Sequence, residues 1–247
     1  MRARAGYPLI SISYLNLTDQ AFLNAGISLV RIFLVVVGPL GVILLPRISK
    51  DFKLNKNNFK HTENISILLN ITFYYSLIST YVLILINNQL LNLWLGSFTN
   101  QTNLNIAIIL SSAPFFILSA VLRSPIDALS NYGYNSIIYG ISSATMILCF
   151  FILTSFKIEP FLIGSLSFWL GNFLSGMLSF YYIKKLINVN FLNLKSIYQL
   201  VFILVFLFFL IELIKFYLDD ILTIIVSILI LSIVLIFHFL YSKLNWI

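Results

Sequence analysis

Asn24, Ser28 and Arg31 stand at helical spacing inside a run that is otherwise almost wholly apolar. Offsets of four and seven residues place them on one face of an α-helix, and Val35 and Gly38 continue that face. A charge at membrane depth is costly and ordinarily faces a bundle interior or a water-filled path. There a guanidinium offers a planar fork of donors that fits a phosphate or carboxylate. The face therefore reads as one wall of a substrate path for an anionic group, with Arg31 as its cation and Asn24 and Ser28 as neighbours. The alternative is an arginine that snorkels to the outer interface. Counted from Ala21, Arg31 lies about 15 Å along a helix rising about 1.5 Å per residue, near the bilayer midplane, which is far to snorkel. The run then breaks at Gly38-Pro39-Leu40-Gly41, where proline removes a backbone donor and kinks the helix.

The other candidates are sparser. Arg123 and Asp127, four apart, can pair if the helix survives Pro125; they are read as a gate or coupling pair, against the plainer reading of an interfacial charge pair. Glu212, Lys215 and Asp219 form a similar cluster further on. Trp169 either lines a sugar path or simply packs. His61 and His238 have no ligand cluster around them and Cys149 is the single cysteine, so neither a metal nor a cofactor is expected. No P-loop, His-Glu-x-x-His or Gly-x-Ser-x-Gly sequence occurs and the loops are short, so no enzyme is expected.

These residues are positioned by long apolar elements. Of the 247 residues, 60% are hydrophobic and only 9% charged, against about 25% charged in a soluble domain. Apolar runs at 22–45, 65–86, 104–122, 136–156, 160–183, 197–218 and 221–241 approach the length of about twenty residues that spans a bilayer. The expected fold is all-α, a polytopic membrane helix bundle of about seven transmembrane helices. The net charge of +7 would point to nucleic acid in a soluble protein. Here the basic residues crowd short loops, and the positive-inside rule accounts for them without a nucleic-acid partner. Arg47, Lys50, Lys53, Lys56, Lys60, Arg123, Lys184, Lys185, Lys195 and Lys243 fall on one side; Arg2, Arg4, Lys157 and Lys215 fall on the other. The richer side is cytoplasmic, which puts the C-terminus inside and the N-terminus outside. An outside Arg2 and Arg4 with no signal peptide is best explained if further spans lie upstream in a longer protein.

The layout expected is an extracytoplasmic segment 1–21, a five-helix bundle 22–183, and a peripheral two-helix hairpin 184–247 whose apolar surface suits lipid. Ser136, Gly140 and Ala144, and Ser167, Gly171, Ser175 and Ser179, recur every fourth residue in the fourth and fifth runs. Small residues at that spacing let helix backbones approach closely. Gly140, Ser167, Gly171 and Ser175 are thus expected at a helix interface, the two runs forming an antiparallel hairpin.

Three stretches resemble bacterial polysaccharide (O-antigen type) flippases of the multidrug/oligosaccharidyl-lipid/polysaccharide exporter superfamily. They are Leu44-Leu45-Pro46-Arg47-Ile48-Ser49-Lys50, Leu91-Asn92-Leu93-Trp94-Leu95-Gly96, and the segment from Ile117 to Gly133 with Leu122-Arg123 and Asp127-Ala128-Leu129. The resemblance implies helices eight to fourteen of a fourteen-helix transporter in the bacterial inner (cytoplasmic) membrane. It implies movement of undecaprenyl-diphosphate-linked oligosaccharide by alternating access, for O-antigen, capsule or exopolysaccharide synthesis. The partners implied are the lipid-linked oligosaccharide, membrane lipid and polysaccharide polymerase or assembly proteins. Two other readings stay open at this point. A drug or metabolite antiporter of the same superfamily would place acids in its core, whereas these acids sit at span ends. A seven-span receptor matches the topology but lacks its Asn-Pro-x-x-Tyr and acidic-Arg-Tyr motifs.

Overall fold

The structure is a computed structural model and describes residues 15–32, 35, 60–96, 99–130, 132–156 and 158–187. Every element among the described residues is an α-helix: α1 (17–32), α2 (Lys60–Leu85), α3 (Asn87–Leu95), α4 (Asn100–Ser111), α5 (Ala113–Leu129), α6 (Tyr134–Thr154) and α7 (Pro160–Ile187). All lie in one compact unit, 1–191. The all-helical class holds for these residues. The count of about seven spans does not carry over to them. Among the described residues, three segments are long and apolar enough to cross a membrane: Asn100–Leu129, Tyr134–Thr154 and Pro160–Leu186. A fourth is reached if Thr72–Leu85 and Asn87–Trp94, which meet at a 65° bend, form one broken span. The runs at 197–218 and 221–241, and with them all but the first residues of the expected hairpin 184–247, lie outside the described residues. So do Gly38, the Gly-Pro break and the basic loop residues before Lys60.

Local chemistry moves several boundaries. Helix α1 begins at residue 17, ahead of the apolar run expected from residue 22. The expected loop from Asn87 to Asn103 is largely helical, with α3 inside it. Asn87 fixes the bend that starts α3, its Nδ2 donating to the Asn103 carbonyl at 3.1 Å and also to the Asn103 side-chain oxygen. Helix α3 ends at Gly96, whose φ of +76° only glycine adopts without strain, with its N–H donating to the Asn92 carbonyl. Thr99 then caps α4, its hydroxyl accepting the Thr102 N–H at 3.2 Å. Pro114 and Pro160 sit in the first turns of α5 and α7, where a missing N–H costs nothing. Pro125 lies inside α5, yet the helix runs on to Leu129.

Helix α7 is the hub. It packs chiefly on α5 and α6 and also on α4, while α2 covers α4 and α5. The core is aliphatic and aromatic, with Ile106, Ile109, Ile117, Leu122, Ile126, Phe150 and Phe161 almost wholly enclosed. Tyr134 stacks on Tyr182 with ring centres 4.6 Å apart, and Met146 sits over Gly171, so α6 and α7 form the antiparallel hairpin their short link requires.

The small-residue rows behave unequally. Ser167 and Ser175 are wholly buried, and Gly171 is buried beneath the Met146 side chain, where an added Cβ would fall 2.1 Å from Met146 Cγ. Gly140 corrects the expectation: it is exposed, a Cβ there would meet nothing within 4 Å, and Ser136 and Ala144 are exposed with it. The reason is the row of mostly larger side chains on the other face of α6. Ile138, Ser142, Met146 and Phe150 turn the opposite face of the helix to α7, and the larger side chains bury more area there. Gly140→Leu should accordingly not destabilise the protein: the side chain meets open space and helix propensity improves by up to about 1 kcal/mol, so the thermal midpoint of the purified protein in detergent should stay level or rise by a few degrees.

Candidate functional site

Helix α1 is two-sided. Leu23, Ile27 and Val30 are buried at 4% exposure or less, and an added Cβ on Gly26 would lie 2.9 Å from the Ile109 side chain, so this side is set against α4. Phe22 meets the Phe161 ring of α7, centres 6.4 Å apart. Asn24, Ser28 and Arg31 all fall on the other, exposed side. Leu17, Ile32 and Val35, at 87%, 58% and 76% exposure, share that side before and after them. The sequence periodicity thus becomes a polar strip about two turns long, ending in a guanidinium, on a helix whose opposite side is locked into the bundle. Such a strip can offer an amide, a hydroxyl and a charged fork in succession to a ligand with an anionic head and polar body.

Arg123 and Asp127 are both exposed near the end of α5. They do not meet as an i,i+4 pair. Asp127 Oδ1 accepts from Asn135 Nδ2 at 2.6 Å, while the Arg123 guanidinium stands 5.9 Å from the centre of the Tyr139 ring. Asn135 Nδ2 also donates to the Arg123 carbonyl at 2.9 Å, so one half-turn of α6 ties down the end of α5. Sequence reasoning missed Asn135; the available signal was an amide placed just after the Tyr132-Gly133 turn. Asn135→Leu removes that donor from a helix carbonyl and from an exposed carboxylate that water can solvate, and should lower stability by about 0.5–1.5 kcal/mol, read as a drop in thermal midpoint. Asn135 thus anchors both the Arg123 backbone and the Asp127 side chain.

Trp169 is half-buried, stacked on Phe173 at 5.3 Å with the rings 7° from parallel, and edge-on to Phe115 at 6.3 Å. Its ring has aromatic partners within the bundle, as the packing reading expects. Cys149 is half-buried and unbridged. Among the described residues no cluster of three or more His, Cys, Asp or Glu side chains could hold a metal ion. His61 lies in α2 and His238 outside the described residues, as do Glu212, Lys215 and Asp219.

No family model, curated protein or solved structure matches this chain.

Proposed function

We propose that this chain forms part of a membrane transporter that flips an anionic, lipid-linked oligosaccharide, and that the exposed side of α1 is one wall of the path. The observation that carries the reading is the exposure of Asn24, Ser28 and Arg31 on a helix whose opposite side is buried in an apolar bundle. An arginine some 21 Å along the helix from Leu17 is poorly placed to face hydrocarbon, and a water-lined path removes that cost. A diphosphate is the natural partner of a guanidinium fork, and the amide and hydroxyl before it suit the sugar oxygens. In this reading the substrate is an undecaprenyl-diphosphate-linked repeat unit. The membrane is the bacterial inner membrane, with the C-terminus cytoplasmic, and a second bundle closes the cavity opposite α1. Arg123 and Asp127, anchored by Asn135, lie at the cytoplasmic end of α5. No chemical step is assigned to the chain, which acts as a transporter and not as an enzyme.

The test is Arg31→Ala expressed in the native cell, with surface polysaccharide and membrane-inserted protein measured together. Loss of surface polysaccharide at an unchanged protein level supports the assignment. Normal polysaccharide sinks it.

A further inference from the structure

The segments Asn100–Leu129 and Pro160–Leu186 lie side by side and carry matched polar series. Asn105, Ser112 and Ser119 recur every seventh residue on the first; Ser165, Asn172 and Ser179 recur every seventh on the second. Seven residues are close to two helical turns, so each series forms one line along its helix. Asn172 Nδ2 approaches Ser112 Oγ at 3.5 Å, an offset of 60 residues, and carried along the two helices that register brings Ser165 to about the level of Asn105 and Ser179 to about the level of Ser119. A Cβ on Gly176 would lie within 2.9 Å of the Phe115 backbone, so the two helices run parallel and close at this level. All six polar residues are at most 1% exposed.

Their hydrogen bonding is unbalanced. The four serine hydroxyls donate along their own helices: Ser112 to the Ile109 carbonyl, Ser119 to Phe116, Ser165 to Phe161 and Ser179 to Ser175, at 2.7–2.9 Å. Asn172 Nδ2 donates to the Phe168 carbonyl at 3.0 Å, which leaves Asn172 Oδ1 without a donor. Asn105 has a partner on neither amide atom. Enclosed amide groups in this state are costly, and their cost is removed by a small molecule that can both donate and accept. None of the six residues carries a charge, so a bare cation entering the seam would lose its hydration without a counter-ion. Water meets every requirement: it donates to Asn172 Oδ1 and to the serine oxygens, and at Asn105 it accepts from Nδ2 and donates to Oδ1.

We propose that the seam between these two helices is a buried water-binding site, occupied at the Asn105–Ser165 level and at the Ser112–Asn172 level. The two levels stand about 10 Å apart, each holding its own water. The bundle is thus hydrated internally along its central helix pair, independently of the path assigned to α1.

Two measurements on the full chain in lipid nanodiscs decide it. With asparagine side chains labelled with ¹⁵N, the Asn105 amide, assigned by its disappearance in Asn105→Ser, should exchange its protons with D2O in the folded protein. Asn105→Leu should lower the thermal midpoint by about 2–4 °C, because it removes a satisfied polar group. An amide that stays protonated until global unfolding overturns the proposal. So does an Asn105→Leu midpoint equal to or above that of the wild type, since relieving a dry, unpaired amide stabilises the fold. Should Asn105→Leu fail to fold, the exchange measurement on the wild-type chain decides alone.

Discussion

Gly176→Leu should abolish the folded bundle. A Cβ at this position would fall 2.8 Å from the Phe115 carbonyl oxygen, 2.9 Å from its Cα and 2.9 Å from its Cβ. Two of those three atoms are backbone and cannot swing aside, so α5 and α7 must separate. Overpacking a core costs about 1–3 kcal/mol when side chains can adjust. Here the helices themselves must part, against a total stability of roughly 5–15 kcal/mol for an ordinary domain. The expected result is aggregated or proteolysed protein, read by size-exclusion chromatography and expression level. Gly171→Ala is the informative contrast. Its Cβ would overlap Met146, but Met146 is a flexible side chain with other rotamers available, so a folded protein with a lowered midpoint is expected. A Gly176→Leu protein as stable as wild type would mean that α5 and α7 do not touch at this level.

The second large effect is at Arg31. Because Arg31 lies on the exposed side of α1, Arg31→Ala, Arg31→Lys and Arg31→Glu should all keep the wild-type thermal midpoint. On the proposed path for a lipid-linked anion, transport should not survive equally. A hydrogen bond to a charged group contributes about 1.5–3 kcal/mol, and each 1.4 kcal/mol is about tenfold, so Arg31→Ala should slow export of the lipid-linked sugar roughly tenfold to a hundredfold. Arg31→Lys keeps the charge and loses the fork, and should retain part of the activity. Arg31→Glu turns attraction for a diphosphate into repulsion and should be the most impaired. Export measured in inverted membrane vesicles with a lipid-linked substrate gives the order; equal rates in all three variants would remove Arg31 from the path.

The two-sided character of α1 was legible because period and polarity agree: Leu23, Ile27 and Val30 on one side, Asn24, Ser28 and Arg31 on the other. The α6–α7 hairpin was legible from its short link. The placement of Gly140 was not, because small residues every fourth position state only that close approach is allowed, not which face the larger neighbours will claim. Met146 and Phe150 settled that by turning the other face of α6 inward. The Asn87 bend and the Asn135 tie were hidden for a related reason. Each is one amide reaching across a turn, to Asn103 in the first case and to Asp127 and the Arg123 carbonyl in the second, and neither disturbs any periodicity. The polar seam was half visible. Ser167, Gly171 and Ser175 were read as a small-residue row, but the heptad series Ser165, Asn172 and Ser179 acquires meaning only beside Asn105, Ser112 and Ser119. That match requires knowing that two helices separated in sequence by α6 are parallel neighbours.

The most direct test of the path on α1 is thiol accessibility in intact membranes. With Cys149 replaced by serine, cysteine is placed singly at Asn24, Ser28 and Arg31, and at Val30 as a buried control. Reaction of the first three with a charged, membrane-impermeant thiol reagent, with Val30→Cys protected, is the predicted result and means that water lines this side of α1. Protection of all three from the charged reagent, together with reaction toward a lipid-soluble maleimide, would show the strip facing hydrocarbon and contradict the account.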